Sequence, residues 1–89
     1  MSARLPHKMT YKVTFTISLH DKTFNIETYA MKFVNNFPTR FQIFVNGYFE
    51  GFIFSEGDKW LIEKYSLSQQ LLNEELAQEI GNYLSAYYS

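Results

Sequence analysis

Residues 10–19 read Thr-Tyr-Lys-Val-Thr-Phe-Thr-Ile-Ser-Leu, and this stretch decides the fold. Tyr11, Val13, Phe15, Ile17 and Leu19 share one side, while Lys12, Thr14, Thr16 and Ser18 share the other. Period-two alternation rich in β-branched and aromatic residues predicts a strand with one buried and one solvated face. Burial on one side favours an antiparallel sheet.

Working outward, His20-Asp21-Lys22-Thr23 interrupts the alternation and reads as a turn. With Asp21 and Lys22 at its tip, Leu19 lies opposite Phe24 and Ile17 opposite Ile26. A second strand spans about 23–33. Its phase is ambiguous: either a bulge near Glu27–Tyr29 flips it, or Tyr29, Met31 and Phe33 point away from the core. Val34-Asn35-Asn36-Phe37-Pro38-Thr39 reads as a loop, and a third strand covers 40–45. Asn46-Gly47 is the clearest hairpin signal in the chain. A three-residue loop, Val45-Asn46-Gly47, is the preferred register. It gathers Phe41, Ile43, Phe49, Gly51 and Ile53 on one side and keeps Glu50 out of the core. The fourth strand runs over 48–54. Ser55-Glu56-Gly57-Asp58 turns the chain into a fifth strand at 59–63, with Trp60 and Ile62 inward.

Beyond this, Leu72, Leu76, Ile80 and Leu84 recur at helical spacing with Tyr83 and Tyr87 beside them, and Gln70, Glu74, Gln78 and Asn82 fall off that stripe. A helix over about 68–87 follows. Its start is either Ser66 with Gln69 as a capping box, or Asn73 followed by Glu74 and Glu75. The expected architecture is α+β: a four- to five-stranded antiparallel β-meander with one C-terminal amphipathic helix packed on one face. Residues 1–8 read as a flexible leader, and 9–89 as one domain.

At 89 residues there is room for one core. The chain has no cysteine, which excludes disulfides, thiol chemistry and cysteine-ligated metals. No signal peptide and no bilayer-spanning apolar run are visible, so the expected compartment is the cytoplasm, without membrane association. The net charge of −1 does not advertise nucleic acid. Its distribution is uneven. Arg4, Lys8, Lys12, Lys22, Lys32 and Arg40 dominate the first part, whereas Glu50, Glu56, Asp58, Glu63, Glu74, Glu75 and Glu79 dominate the second. Complementarity within the fold accounts for this, and head-to-tail or two-fold self-association is the sharper reading.

No catalytic constellation emerges, so no enzymatic activity and no cofactor are expected. His20 and Asp21 adjoin but have no nucleophile tied to them by a motif, and a solvated turn accounts for both. Glu74, Glu75 and Glu79 lack the companion ligands of a metal site and read as a solvated helix face. Trp60 reads as core. Ala77, Gly81 and Ser85 form a row of small residues whose expected partner is the sheet, near Gly51, with a helix of a second copy as the sharper alternative.

The surplus lies in the aromatic residues: nine Phe, seven Tyr and one Trp. Phe44, Phe52 and Phe54 project away from the expected core, joined by Tyr29, Met31 and Phe33 if the second strand keeps its phase. Apolar patches of this kind usually mark an interface. These residues are the candidate interface of a small non-enzymatic interaction or scaffold domain, self-associating as a homodimer or binding a protein partner. The alternative is a module binding single-stranded nucleic acid or a small ligand. There, exposed Phe44, Tyr48 and Phe52 stack bases while Lys12 and Arg40 hold phosphates, against the resistance of acidic residues on strands four and five.

Overall fold

The computed structural model describes residues 11–35, 37–64 and 71–89. The leader at 1–8 and the Ser66–Gln69 capping box lie outside them. The elements are β1 (Lys12–Leu19), β2 (Lys22–Val34), β3 (Phe37–Val45), β4 (Tyr48–Glu56), β5 (Lys59–Lys64) and α1 (Glu74–Tyr88). The strands form one five-stranded antiparallel sheet in the order β1-β2-β3-β4-β5. A meander is what consecutive strands joined by tight turns produce. The helix covers one face of it.

The first hairpin differs from expectation by two residues. Its tip is His20-Asp21, both at positive φ (52° and 65°), so Leu19 pairs with Lys22, Ile17 with Phe24 and Phe15 with Ile26. A loop with both residues left-handed follows the natural twist of the strands. A shift of two leaves every side chain on its expected face, so Val13 and Ile26 still enter the core.

β2 holds its phase through Ala30, and no bulge occurs at Glu27–Tyr29. The irregularity comes later. Met31 is the extra residue between the pairs Ala30↔Phe41 and Lys32↔Arg40, and β3 compensates with Thr39 before Phe33↔Pro38. Val34 and Phe37–Thr39, read as part of a loop at 34–39, are strand, and Asn35 (φ 54°) lies in the turn. Pro38 is tolerated because it lies past the last β3–β4 pair, Arg40↔Phe54, where no ladder on that side needs its missing amide.

The largest correction concerns the next hairpin. The loop is the two residues Asn46-Gly47 (φ 53° and 87°), which pairs Val45 with Tyr48 and Phe44 with Phe49. Asn46 ties this turn to β2: its Oδ1 accepts from the Asn25 amide at 2.9 Å and its own amide donates to the Asn25 carbonyl at 2.8 Å. Beyond Phe49, β4 carries one residue more than β3, and that residue is Glu50. The two-residue loop sends Phe49 to the helix-free side beside Phe44, and the bulge leaves Glu50 inward, where it is 0 % exposed. Burial is tolerated because the carboxylate is occupied. Its Oε1 accepts from the amides of Leu71 at 2.8 Å and Leu72 at 3.1 Å. Gly51, the next residue, has φ 136°, a conformation that glycine alone adopts readily.

β5 follows the Gly57-Asp58 turn, with Trp60 and Ile62 facing the core as expected. α1 begins later than the anticipated residue 68. Leu71–Asn73 are non-helical, and Asn73 is the N-cap, its Oδ1 accepting from the Leu76 amide at 2.8 Å. Glu74 and Glu75 in the first turn complement the helix dipole. Replacing Asn73 with Ala removes that acceptor and lowers the unfolding free energy by about 1 kcal/mol, read as a reduced urea midpoint at unchanged slope.

The core is the inner face of the sheet (Ile26, Phe41, Ile43, Val45, Ile53, Trp60) against Leu72, Leu76, Ala77, Ile80, Leu84 and Tyr88. Burial pushes the Tyr88 hydroxyl up to about 12, with the neighbouring Tyr87 adding to the effect. α1 packs chiefly on β5. The small-residue row does face the sheet, through Trp60 at Gly81. No described helix is long and apolar enough to cross a membrane.

Candidate functional site

With the helix on one face, the other face of the sheet is left to the alternate residues of each strand. On β2, β3 and β4 these include Tyr29, Phe44, Phe49, Phe52 and Phe54, with the polar Gln42 between Tyr29 and Phe52. Tyr29 meets Phe44 edge-on at 5.7 Å between ring centroids; Phe44 meets Phe49 at 5.5 Å; Phe49 meets Phe52 edge-on at 5.5 Å. These edge-to-face and tilted arrangements are those the ring quadrupole favours. The rings shield one another, and each is half-buried. The row therefore crosses the sheet diagonally as a ready-made apolar band.

A cation and an anion sit at each end. At one, Lys12 Nζ lies 3.4 Å from Glu27 Oε2 and 5.7 Å from the centre of the Tyr29 ring. The Tyr29 hydroxyl donates a short hydrogen bond to Glu27. That bond is the main reason the Glu27 carboxyl titrates below its ordinary range and the Tyr29 hydroxyl above its own. Lys12 is raised in turn, first by its hydrogen bond to Glu27. At the other end, the Arg40 guanidinium stacks 4.7 Å over Phe52 and 6.0 Å from Phe54, while Nη2 bonds Glu63 at 2.5 Å. Planar, weakly hydrated guanidinium suits such a position.

The candidate residues thus separate. Tyr29, Phe44 and Phe52 belong to the row, and Phe54 joins through Arg40. Phe33 packs edge-on against Tyr11 at 5.5 Å, away from the row, and Met31, 52 % exposed, occupies the β2 bulge. Phe49 is the residue sequence reasoning missed. The signal was present in Asn46-Gly47, whose two-residue loop sends Phe49 outward. The same register turns Glu50 inward, which the usual cost of burying a carboxylate disfavours.

The other candidates resolve locally. His20 does not engage Asp21. Its Nε2 meets Glu75 Oε1 at 2.8 Å, joining the first turn to the start of the helix through an exposed pair. Glu75 is therefore a partner of the β1–β2 turn, and among the described residues no three His, Asp or Glu side chains converge as a metal-binding group. A broad groove runs along β5 between Leu61, Trp60 and the start of α1, bordered by Lys59, Glu74, Glu75 and Gln78. It brings no nucleophile next to a base.

Chemically, the aromatic face can bury rings and exchange ion pairs. No protein-family model matches the chain, and neither a curated protein nor a solved structure is significantly similar to it.

Proposed function

We propose that this chain is a non-enzymatic interaction domain that self-associates through the helix-free face of its sheet. The observation that carries the reading is the ring row Tyr29–Phe44–Phe49–Phe52, held between two opposite-charge pairs. Aromatic rings pre-set against one another lose little side-chain freedom on docking, and aromatic residues and Arg are enriched in interface centres. A second copy suits this face because each end of the row offers one cation and one anion. A two-fold arrangement places the Lys12–Glu27 end over the Arg40–Glu63 end, so unlike charges can meet at both rims. Such rim charges set register and approach more than affinity.

Light scattering on a size-exclusion column tests this. The wild-type mass is expected to exceed that of one chain and to fall by half in Phe44→Ser/Phe52→Ser, with far-UV circular dichroism unchanged. A wild-type mass equal to one chain at high concentration, or a mass indifferent to the double substitution, ends the proposal.

One observation supports single-stranded nucleic acid as the runner-up: Arg40 over Phe52 within a row of rings resembles a base-stacking platform. Against it, Arg40 and Lys12 already neutralise Glu63 and Glu27, leaving little charge for phosphates. Fluorescence anisotropy with a labelled oligonucleotide at rising salt decides. Salt-sensitive binding that is lost with Phe52→Ser favours the runner-up.

A further inference from the structure

An open antiparallel sheet has two edge strands, and this one treats them differently. β5 is short and carries Lys59 and Glu63. Its Trp60 amide, which faces away from β4, is covered from the helix: Gln78 Oε1 accepts it at 3.3 Å, and Gln78 Nε2 is steadied by Asn82 Oδ1 at 3.0 Å. Charges and a capping side chain are the usual protections of an edge.

Among the described residues β1 has no capping side chain and no charge beyond its first residue. It is eight residues long, without proline, glycine or bulge, and its one charged residue is Lys12 at the very start. The Ala30 amide donates to the Tyr11 carbonyl at 2.7 Å, which sets the ladder phase. Tyr11, Val13, Phe15, Ile17 and Leu19 therefore turn their backbone groups toward β2. Lys12, Thr14, Thr16 and Ser18 turn theirs outward. Among the described residues no donor or acceptor meets those outward groups. The strand's inner flank is also incompletely covered, because α1 packs chiefly on β5. Phe15, Ile17 and Leu19 are only half-buried. Tyr83, stacked on Phe15 at 3.8 Å, remains 42 % exposed.

We propose that β1 is a dimerisation edge, pairing antiparallel with β1 of a second copy so that two sheets continue as one across a two-fold axis at Phe15. This goes beyond the sheet-face reading and does not depend on it. The occupant is a second copy because the strand is complementary to itself. Centring the pairing on Phe15 sets Lys12 against the second copy's Ser18 and Thr14 against its Thr16, engaging every outward-facing residue of β1. Registers displaced by two residues leave some unpaired. Parallel pairing would set Lys12 on Lys12, whereas the antiparallel arrangement sends the two Lys12 side chains to opposite ends of the paired strands, each facing the other copy's Ser18. The same geometry brings the two half-covered Phe15–Tyr83 flanks together. Backbone pairing then supplies the affinity and the alternate side chains the register, and the contact closes with two-fold symmetry.

A charge swap across the predicted pair tests the inference. In the Phe44→Ser/Phe52→Ser background, which disables the sheet face, light scattering is expected to return twice the chain mass. Adding Thr14→Lys/Thr16→Lys sets like charges opposite each other and reduces it to one chain. Mixing that chain with a Thr14→Glu/Thr16→Glu chain restores the doubled mass. In the dimer, the Thr14 and Thr16 amides exchange at least tenfold more slowly than after dilution. Performed also without the Phe substitutions, the swap separates the two proposals. If the sheet-face reading alone is wrong, the Phe changes leave the mass untouched while the Lys changes halve it. A single-chain mass in the Phe-substituted background with circular dichroism intact, or Lys and Glu chains that fail to pair on mixing, overturns the dimerisation edge.

Discussion

Gly81→Ala is expected to destabilise the domain by roughly 2–3 kcal/mol, although the same change in an exposed helix stabilises by about 1 kcal/mol. A Cβ on Gly81 would stand 2.1 Å from Cγ of Trp60 and 2.2 Å from Cδ1. Those atoms belong to a rigid ring, itself buried and tilted against Phe41 at 5.9 Å, so the ring cannot swing aside as a flexible chain end would. The helix must lift from β5, the strand on which it chiefly packs. Urea denaturation followed by circular dichroism measures the loss. A coupled variant identifies the cause. If ring contact is responsible, Gly81→Ala costs much less in a Trp60→Leu background, and the two changes are strongly non-additive. Equal costs in both backgrounds would remove the contact as the explanation.

That glycine shows how the chain's readability divides. A glycine within a helical stripe was visible as an anomaly, and the expectation that the sheet approached it was sound. That Trp60 was the partner required knowing how the helix lies across the strands. Alternation is more robust. The first hairpin tip moved by one residue and its pairing register by two, yet Val13 and Ile26 reached the core because a register shift of two preserves the face. Tyr29, Phe44 and Phe52 fell on the helix-free side for the same reason. Phe33 and Met31 did not join them because the β2 bulge at Met31 ends the regular phase, and a bulge leaves little local mark on composition. Phe49 and Glu50 exchanged expected faces. Burial of Glu50 is tolerated only through its acceptor role, which depends on amides 21 and 22 residues farther along the chain and so leaves no local mark in the sequence.

Glu50 therefore carries the second large prediction. Glu50→Ala is expected to cost about 2–5 kcal/mol, because it leaves the part-buried Leu71 amide and the buried Leu72 amide without their acceptor. Leu72 is itself fully buried against the sheet, so the segment cannot simply turn its amides to solvent without withdrawing that side chain. Glu50→Gln keeps an oxygen that can accept but loses the charge that strengthens such bonds, and its cost is expected near 1 kcal/mol. Glu50→Leu preserves bulk and apolar contact while abolishing acceptance, so it is expected to follow Ala. This ordering, Gln mildest and Leu with Ala, is the signature of acceptor loss. Were volume the determinant, Leu would be mild and Ala alone severe. Urea midpoints for the set distinguish these cases, and exchange of the Leu72 amide locates the effect. It should accelerate in Glu50→Leu beyond what the global loss of stability explains, since the bond removed is the one that holds the approach to α1 against the bulge of β4.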